Sequence, residues 1–234
     1  MKKLLWKTLA VLIVLLVVLF LSLNLIARFS VEYGAKKITG FPLQVGSVNL
    51  RLFSSKVDVH NILLKNPAEF QEPLFVNLPQ LYIDYRLGSM FSGRPHINDM
   101  LIEIKTLTIV KNAKGESNAA KLKGVLSSGD SSSKYTIDRL RLKIKGEVII
   151  KDFSKPKPTE RHIGPLDLEP VYVNVTESTP ITRLVLMTVA SQVKLPDIGV
   201  KVEDLKKGLE GVGQDAGKAA QGLFENIKKS LDGK

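Results

Sequence analysis

The chain contains no cysteine, which excludes a disulfide framework, a Cys-ligated zinc or iron-sulfur site and a thiol nucleophile. That absence leaves the redox compartment open. Aromatic residues make up only 6% of the 234 positions, so a core has to be built from Leu, Ile and Val. Histidine is scarce too: His60, His96 and His162 are far apart, and none has a carboxylate or second histidine at metal-ligand spacing. No Gly-x-Ser-x-Gly elbow, phosphate-cradling glycine loop or dinucleotide fingerprint occurs. Asp84, Asp99, Asp138 and Asp152 are scattered over strand ends, where aspartate commonly serves turns. The expectation is a non-enzymatic protein without a cofactor or metal.

Cations exceed anions by 34 to 23, a net charge of +11, yet the excess is diffuse. Lys2, Lys3 and Lys7 carry +3, and between Lys201 and Lys234 seven lysines face six acids. The rest is spread over a long middle segment with both signs. Nucleic-acid binding calls for a concentrated basic stripe interleaved with aromatics, and the one basic row, Arg139, Arg141, Lys143 and Lys145, has no such aromatics. No nucleic-acid partner is expected. An anionic membrane surface is the simpler attractor for a tethered basic domain.

What is abundant is aliphatic sequence, and it falls into distinct patterns. From Leu9 to Leu21 no polar residue interrupts the chain, and residues 8–27 supply about 20 apolar or weakly polar positions, enough to cross a bilayer as a helix. A cleaved signal peptide has a shorter apolar run and ends at a small-x-small site, so an uncleaved anchor is the preferred reading. Residues 1–7 form a basic N-terminus placed in the cytoplasm by the positive-inside bias. Residues 28–40 continue the helix through Val31, Ala35 and Ile38, and Gly40 reads as its stop.

Residues 41–178 then switch to a period of two, the signature of half-buried strands. Leu43 and Val45 are followed by Val48 and Leu50, with a phase slip at Gly46-Ser47 that predicts a β-bulge. Val57, Val59, Ile62 and Leu64 make a second strand, and Leu81, Ile83 and Tyr85 a third. Ile102, Ile104, Leu107 and Ile109 form a fourth, again with a slip. After the loop-like Ser127 to Ser133 comes the clearest alternation, with Leu140, Leu142, Ile144, Gly146, Val148 and Ile150 on one face. Arg139, Arg141, Lys143, Lys145 and Glu147 occupy the other, as in an antiparallel sheet with one wet face. Val171, Val173 and Val175 close the strand set. The basic row has two readings, lipid phosphates or an acidic partner on one side and a solvated strand face that discourages edge pairing on the other; the second is preferred.

Residues 179–234 read as a helical C-terminal segment. Thr179-Pro180 resembles an N-cap with proline in the first turn, ahead of Ile181, Leu184, Val185, Thr188, Val189 and Gln192 on one side, although the Thr and Val content leaves a strand as the alternative. Beyond Pro196 a second stripe runs through Leu205, Leu209, Val212, Ala216, Ala219, Leu223, Ile227 and Leu231. Five glycines interrupt it, so this amphipathic helix needs a partner surface: the sheet as core, or an interfacial or lid position.

The order of these features resembles the N-terminal region of the AsmA-like family of bacterial envelope proteins. The residues that carry the likeness are Thr39-Gly40-Phe41-Pro42-Leu43, Val57 to Pro67 with its terminal Asn66-Pro67, Leu78 to Tyr85, Ser89 to Ile97, and Tyr135-Thr136-Ile137-Asp138-Arg139-Leu140. Roughly residues 1–150 are covered. The resemblance implies an inner-membrane tether and a periplasmic, curved, antiparallel, groove-like sheet related to bridge-type lipid transfer proteins, with roles in phospholipid traffic or outer-membrane assembly. Six or seven strands about 4.8 Å apart give only roughly 30 Å of groove, so local lipid handling fits better than spanning a periplasm. The residues expected to face lipid are Leu140, Leu142, Ile144, Val148, Ile150, Ile102 and Ile104. Expected partners are the membrane, crossed once, phospholipid, and other envelope proteins. An adaptor binding such proteins through its sheet edge and C-terminal helix is the alternative function.

Overall fold

The computed structural model describes residues 12, 22–34, 36, 39–121, 135–176, 181–190 and 193. The chain is mainly β: seven strands form one sheet, β1 (Leu43–Arg51), β2 (Lys56–Lys65), β3 (Leu74–Tyr85), β4 (His96–Lys111), β5 (Thr136–Asp152), β6 (Thr159–Leu168) and β7 (Val171–Thr176). Among the described residues four α-helices accompany it: α1 (residues 22–34), α2 (Leu87–Phe91), α3 (Asn118–Lys121) and α4 (Ile181–Ala190). Strands β1 to β6 lie side by side in chain order, and β7 pairs the start of β5 beside β6. The expected all-antiparallel sheet is corrected at one place, because β4 and β5 run parallel. A hairpin cannot join parallel strands, and the long connection over residues 112–135 supplies the return path they require.

Cross-strand partners point the same way, and their register joins the apolar residues into one face. Val59, Leu81, Ile102 and Leu142 form one row, and Leu64, Val76, Leu107 and Val148 another. Between the rows the first four strands slip phase at the same level: Val45 and Val48 on β1, Val59 and Ile62 on β2, Leu78 and Leu81 on β3, Ile104 and Leu107 on β4. The predicted bulge at Gly46-Ser47 is absent as an inserted residue, since the β1–β2 register stays constant across it. The slip comes from Asn61, opposite Gly46, whose φ of 55° turns β2 through the left-handed region. An inserted residue does occur further along, where the register of β4 with β5 shifts between Ile104 and Thr106 and that of β5 with β6 between Gly146 and Val148. The result is a crease crossing five strands.

Two helices from opposite ends of the chain cover the apolar face. On β1 and β2, Ala27 and Val31 of α1, one turn apart, pack over Val45, Val48, Val59 and Ile62. The same helix guards the edge strand: the Asn24 and Glu32 side chains accept hydrogen bonds from the backbone N–H of Leu50 and Val45, at 3.1 and 2.9 Å, and Arg28 pairs with Glu32 at 3.3 Å. Capping unpaired edge N–H groups removes a template for strand addition. Helix α1 ends toward Gly40, whose N–H reaches the Lys36 carbonyl at 3.0 Å. At the other flank Leu184, Leu186, Met187 and Val189 of α4 join the core of β4, β5 and β7. Tyr172 bonds Thr188 at 2.8 Å, and the Thr188 hydroxyl donates back to the Leu184 carbonyl. Residues 181–190 are therefore helical, despite the β-branched content that left a strand open.

The crease carries the sharpest steric demand. A Cβ on Gly146 would lie 1.8 Å from the Lys105 carbonyl oxygen, so the bulge of β5 closes on β4 only around a residue without a side chain. Changing Gly146 to Ala is expected to lower stability by about 3 kcal/mol, read as a urea midpoint shift at constant m-value. A loss below roughly 0.5 kcal/mol, the range of neutral surface changes, would show that the two strands part readily there.

Candidate functional site

The seven residues expected to face lipid are all in the closed core. Leu140, Leu142, Ile144 and Val148 are at most 1% exposed, Ile104 2%, Ile150 8% and Ile102 9%. They share their cluster with the α4 side chains and with Phe41 and Phe75, whose rings stand 5.3 Å apart. The same face looks different between the helices. Val57 and Leu64 on β2 and Leu78, Leu81 and Ile83 on β3 are only half-buried, lying between the zone packed by α1 and the zone packed by α4. This strip of aliphatic side chains is partly accessible among the described residues, as are Leu43 on β1, Ile97 on β4 and Ile163, Leu166 and Leu168 on β6. Strand register puts these residues on the same face as the seven; which strands the helices leave uncovered was not legible from parity.

The opposite face of the sheet neutralises its own charge. Arg141 engages both carboxylate oxygens of Asp99, and Arg139 donates to it at 2.8 Å. Lys143 pairs with Glu103 at 3.4 Å, and Lys145 with Asp167 at 3.5 Å and Glu169 at 2.7 Å. The row that stood out in the sequence is thus a ladder of cross-strand ion pairs between β4, β5 and β6. Burial alone would raise the Asp99 carboxyl; the Arg141 and Arg139 guanidiniums outweigh it and hold the pKa below the usual value. Glu169 raises the Lys145 ammonium in the same way.

Each histidine meets carboxylates but none lies in a three-ligand cluster among the described residues. His60 lies 3.2 Å from Asp58, and His162 sits between Glu147 and Glu160, each at 2.9 Å, which raises its pKa. His96 bonds Asp138 at 2.8 Å, and its backbone N–H donates to the Ser89 hydroxyl at 2.9 Å, pinning the α2 loop to the start of β5. At the far end of the sheet Asn66 closes the β2–β3 loop by donating to the Glu72 carbonyl and accepting from the fully buried Asn118. Several residues that carry the family likeness therefore act as fasteners of loops.

No helix of the described residues is long and apolar enough to cross a membrane. The anchor expected over residues 8–27 lies outside the described residues except for Leu12 and residues 22–27, and the stripe of Leu205, Leu209, Val212, Leu223 and Ile227 lies wholly outside them.

The Asp99 cluster yields a pH prediction. A carboxylate whose pKa is lowered by folding contributes stability above its unfolded value, and that contribution is lost as pH falls through the folded one. The native chain should lose stability as pH drops below the ordinary aspartate value of 3.8. Changing Asp99 to Asn should cost about 2 kcal/mol at neutral pH, the scale of charged hydrogen bonds, and should flatten that acid limb; an unchanged limb in thermal melts would assign it to other carboxylates. No family model, curated protein or solved structure matches the chain.

Proposed function

We propose that this is a non-enzymatic, AsmA-like envelope protein, held in the bacterial inner membrane by the part of residues 8–27 that precedes Asn24, with a cytoplasmic N-terminus and a periplasmic bulk. In this reading its sheet holds or guides phospholipid acyl chains beside that membrane, in support of outer-membrane assembly or lipid homeostasis. The observation that carries it is the half-open aliphatic strip of Val57, Leu64, Leu78, Leu81 and Ile83, flanked by two helices. An acyl chain asks for nothing more specific than apolar contact, and a site poor in aromatic and polar groups suits it. The apolar stretch that precedes α1 in the sequence supplies the membrane proximity.

The adaptor alternative needs a receptive sheet edge. The outer strand β6 carries Glu160, Arg161, His162 and Asp167 and includes Pro165, which has no N–H to offer. Charge and proline on an edge discourage strand addition, so the observations favour lipid over a pairing partner.

A photoreactive benzoylphenylalanine at Leu81 should crosslink phospholipid in intact envelopes, and one at the neighbouring Tyr82, which points to the other face, should not. Equal labelling at both positions, or none at Leu81, would remove the lipid reading. A reporter fused after Lys234 should be active outside the cytoplasm; activity confined to the cytoplasm would overturn the topology.

A further inference from the structure

We propose that one end of the sheet, formed by the β1–β2 turn and the α2 loop, rests on an anionic phospholipid bilayer with Phe53 and Phe91 in its interface. The proposal deepens the function above and rests on the membrane anchor assigned there. Antiparallel pairing brings the two loops to the same end: Arg51 faces Lys56 across the first turn, Lys56 faces Asp84 near the end of β3, and Tyr85 faces Ile97 at the start of β4. A hydrogen bond from the Tyr85 N–H to the Ser55 carbonyl, 3.0 Å, ties one loop to the other. Two strand spacings, about 10 Å, separate their tips.

The tips are apolar and uncovered. Phe53 is 96% exposed and Phe91 84%, with Leu87 at 42% and Met90 at 37% beside it. At the opposite end the corresponding aromatic, Phe70, is 5% exposed and lies under Lys121, whose ammonium is 5.7 Å from the ring. The other large apolar side chains left exposed among the described residues are Leu12, four on α1 and Val171; none lies in the loops of that far end. Solvent alone gives no reason for two phenylalanines at one end and none at the other.

The two loops of this end add cations: residues 51–56 and 86–95 carry Arg51, Lys56, Arg86 and Arg94 and not one acid. Arg51 and Arg94 are exposed. Aromatic and aliphatic tips ringed by cations match the boundary between acyl chains and anionic headgroups.

The direction of α1 selects the bilayer over a soluble partner. Asn24 contacts Leu50, one residue before Arg51, while Glu32 contacts Val45 further along the strand. The helix therefore begins at the end of the sheet that bears Phe53 and runs away from it. The uninterrupted apolar sequence from Leu9 to Leu21 leads into that same end, so a membrane entered by the anchor meets these loops first.

The absence of native cysteine makes single-site labelling direct. The full-length chain is reconstituted in phosphatidylcholine–phosphatidylglycerol vesicles, with an environment-sensitive fluorophore on Phe53→Cys, Phe91→Cys, Ala113→Cys at the far end, or Leu15→Cys in the apolar run. Lipids brominated in their acyl chains should quench positions 53 and 91 and spare 113. Replacing Arg51 and Arg94 with Gln should lower the docked-to-undocked ratio about fivefold for each charge removed. Quenching at 15 without quenching at 53 and 91 overturns the docking and keeps the anchor. Quenching at 53 and 91 without quenching at 15 keeps the docking and removes the anchor. Quenching nowhere overturns both, and equal quenching at 53, 91 and 113 overturns the orientation. All three labelled positions in the folded part are exposed, so the substitutions remove no core contact.

Discussion

A sheet with one apolar face has to hide that face, and here five adjacent strands present theirs on the same side. Burying a Leu, Ile or Val side chain fully contributes roughly 1.5–3 kcal/mol, so the cover matters as much as the sheet. The chain supplies it from elements at opposite ends of the sequence, α1 over the first two strands and α4 over the fourth, fifth and seventh. Because each helix occupies one flank, the strip on β2 and β3 is left half-covered.

The crease sets how that surface is shaped. When neighbouring strands slip phase at one level, the side chains on both halves keep facing the core while the backbone bends between them. Asn61 supplies the turn on β2, and the extra residue at Gly146 lets β5 follow. Without a residue lacking Cβ at 146, the Lys105 carbonyl would block the approach of β5 to β4.

Much of this was legible in the residues. The alternation in Leu140 to Ile150, and the slips at Gly46 and between Ile104 and Leu107, located strands, faces and irregularities because side-chain direction in a strand depends only on parity. Two things were not legible. The parallel pairing of β4 with β5 depends on the path of residues 112–135, on which parity is silent. The closure of Leu140, Leu142 and Ile144 depends on α4, whose buried side includes Leu186 and Met187 as well as Leu184, Thr188 and Val189. The residues expected to face lipid on β4 and β5 are buried, and half-buried aliphatic residues occur on β2 and β3 and again on β6. The basic row illustrates the reverse case: its partners, Asp99, Glu103, Asp167 and Glu169, are remote in sequence, and only the register brings them across from it.

That compensation changes what the surplus charge can be for. Along the wet face the cations of β5 are matched by acids on the neighbouring strands, and exposed pairs of this kind add little net attraction for a distant anion. The cations of the β1–β2 turn and the α2 loop stand in segments with no acid of their own, though Lys56 and Arg86 reach Asp84 and Asp138 on the adjoining strands. Arg51 and Arg94 are exposed in the same loops as Phe53 and Phe91. Exposed lysines also stand at the other end, Lys114 and Lys157, so it is the exposed aromatics beside Arg51 and Arg94 that polarise the sheet along its strands. Polarisation of that kind orients a tethered domain with respect to a charged surface even where the net attraction is modest.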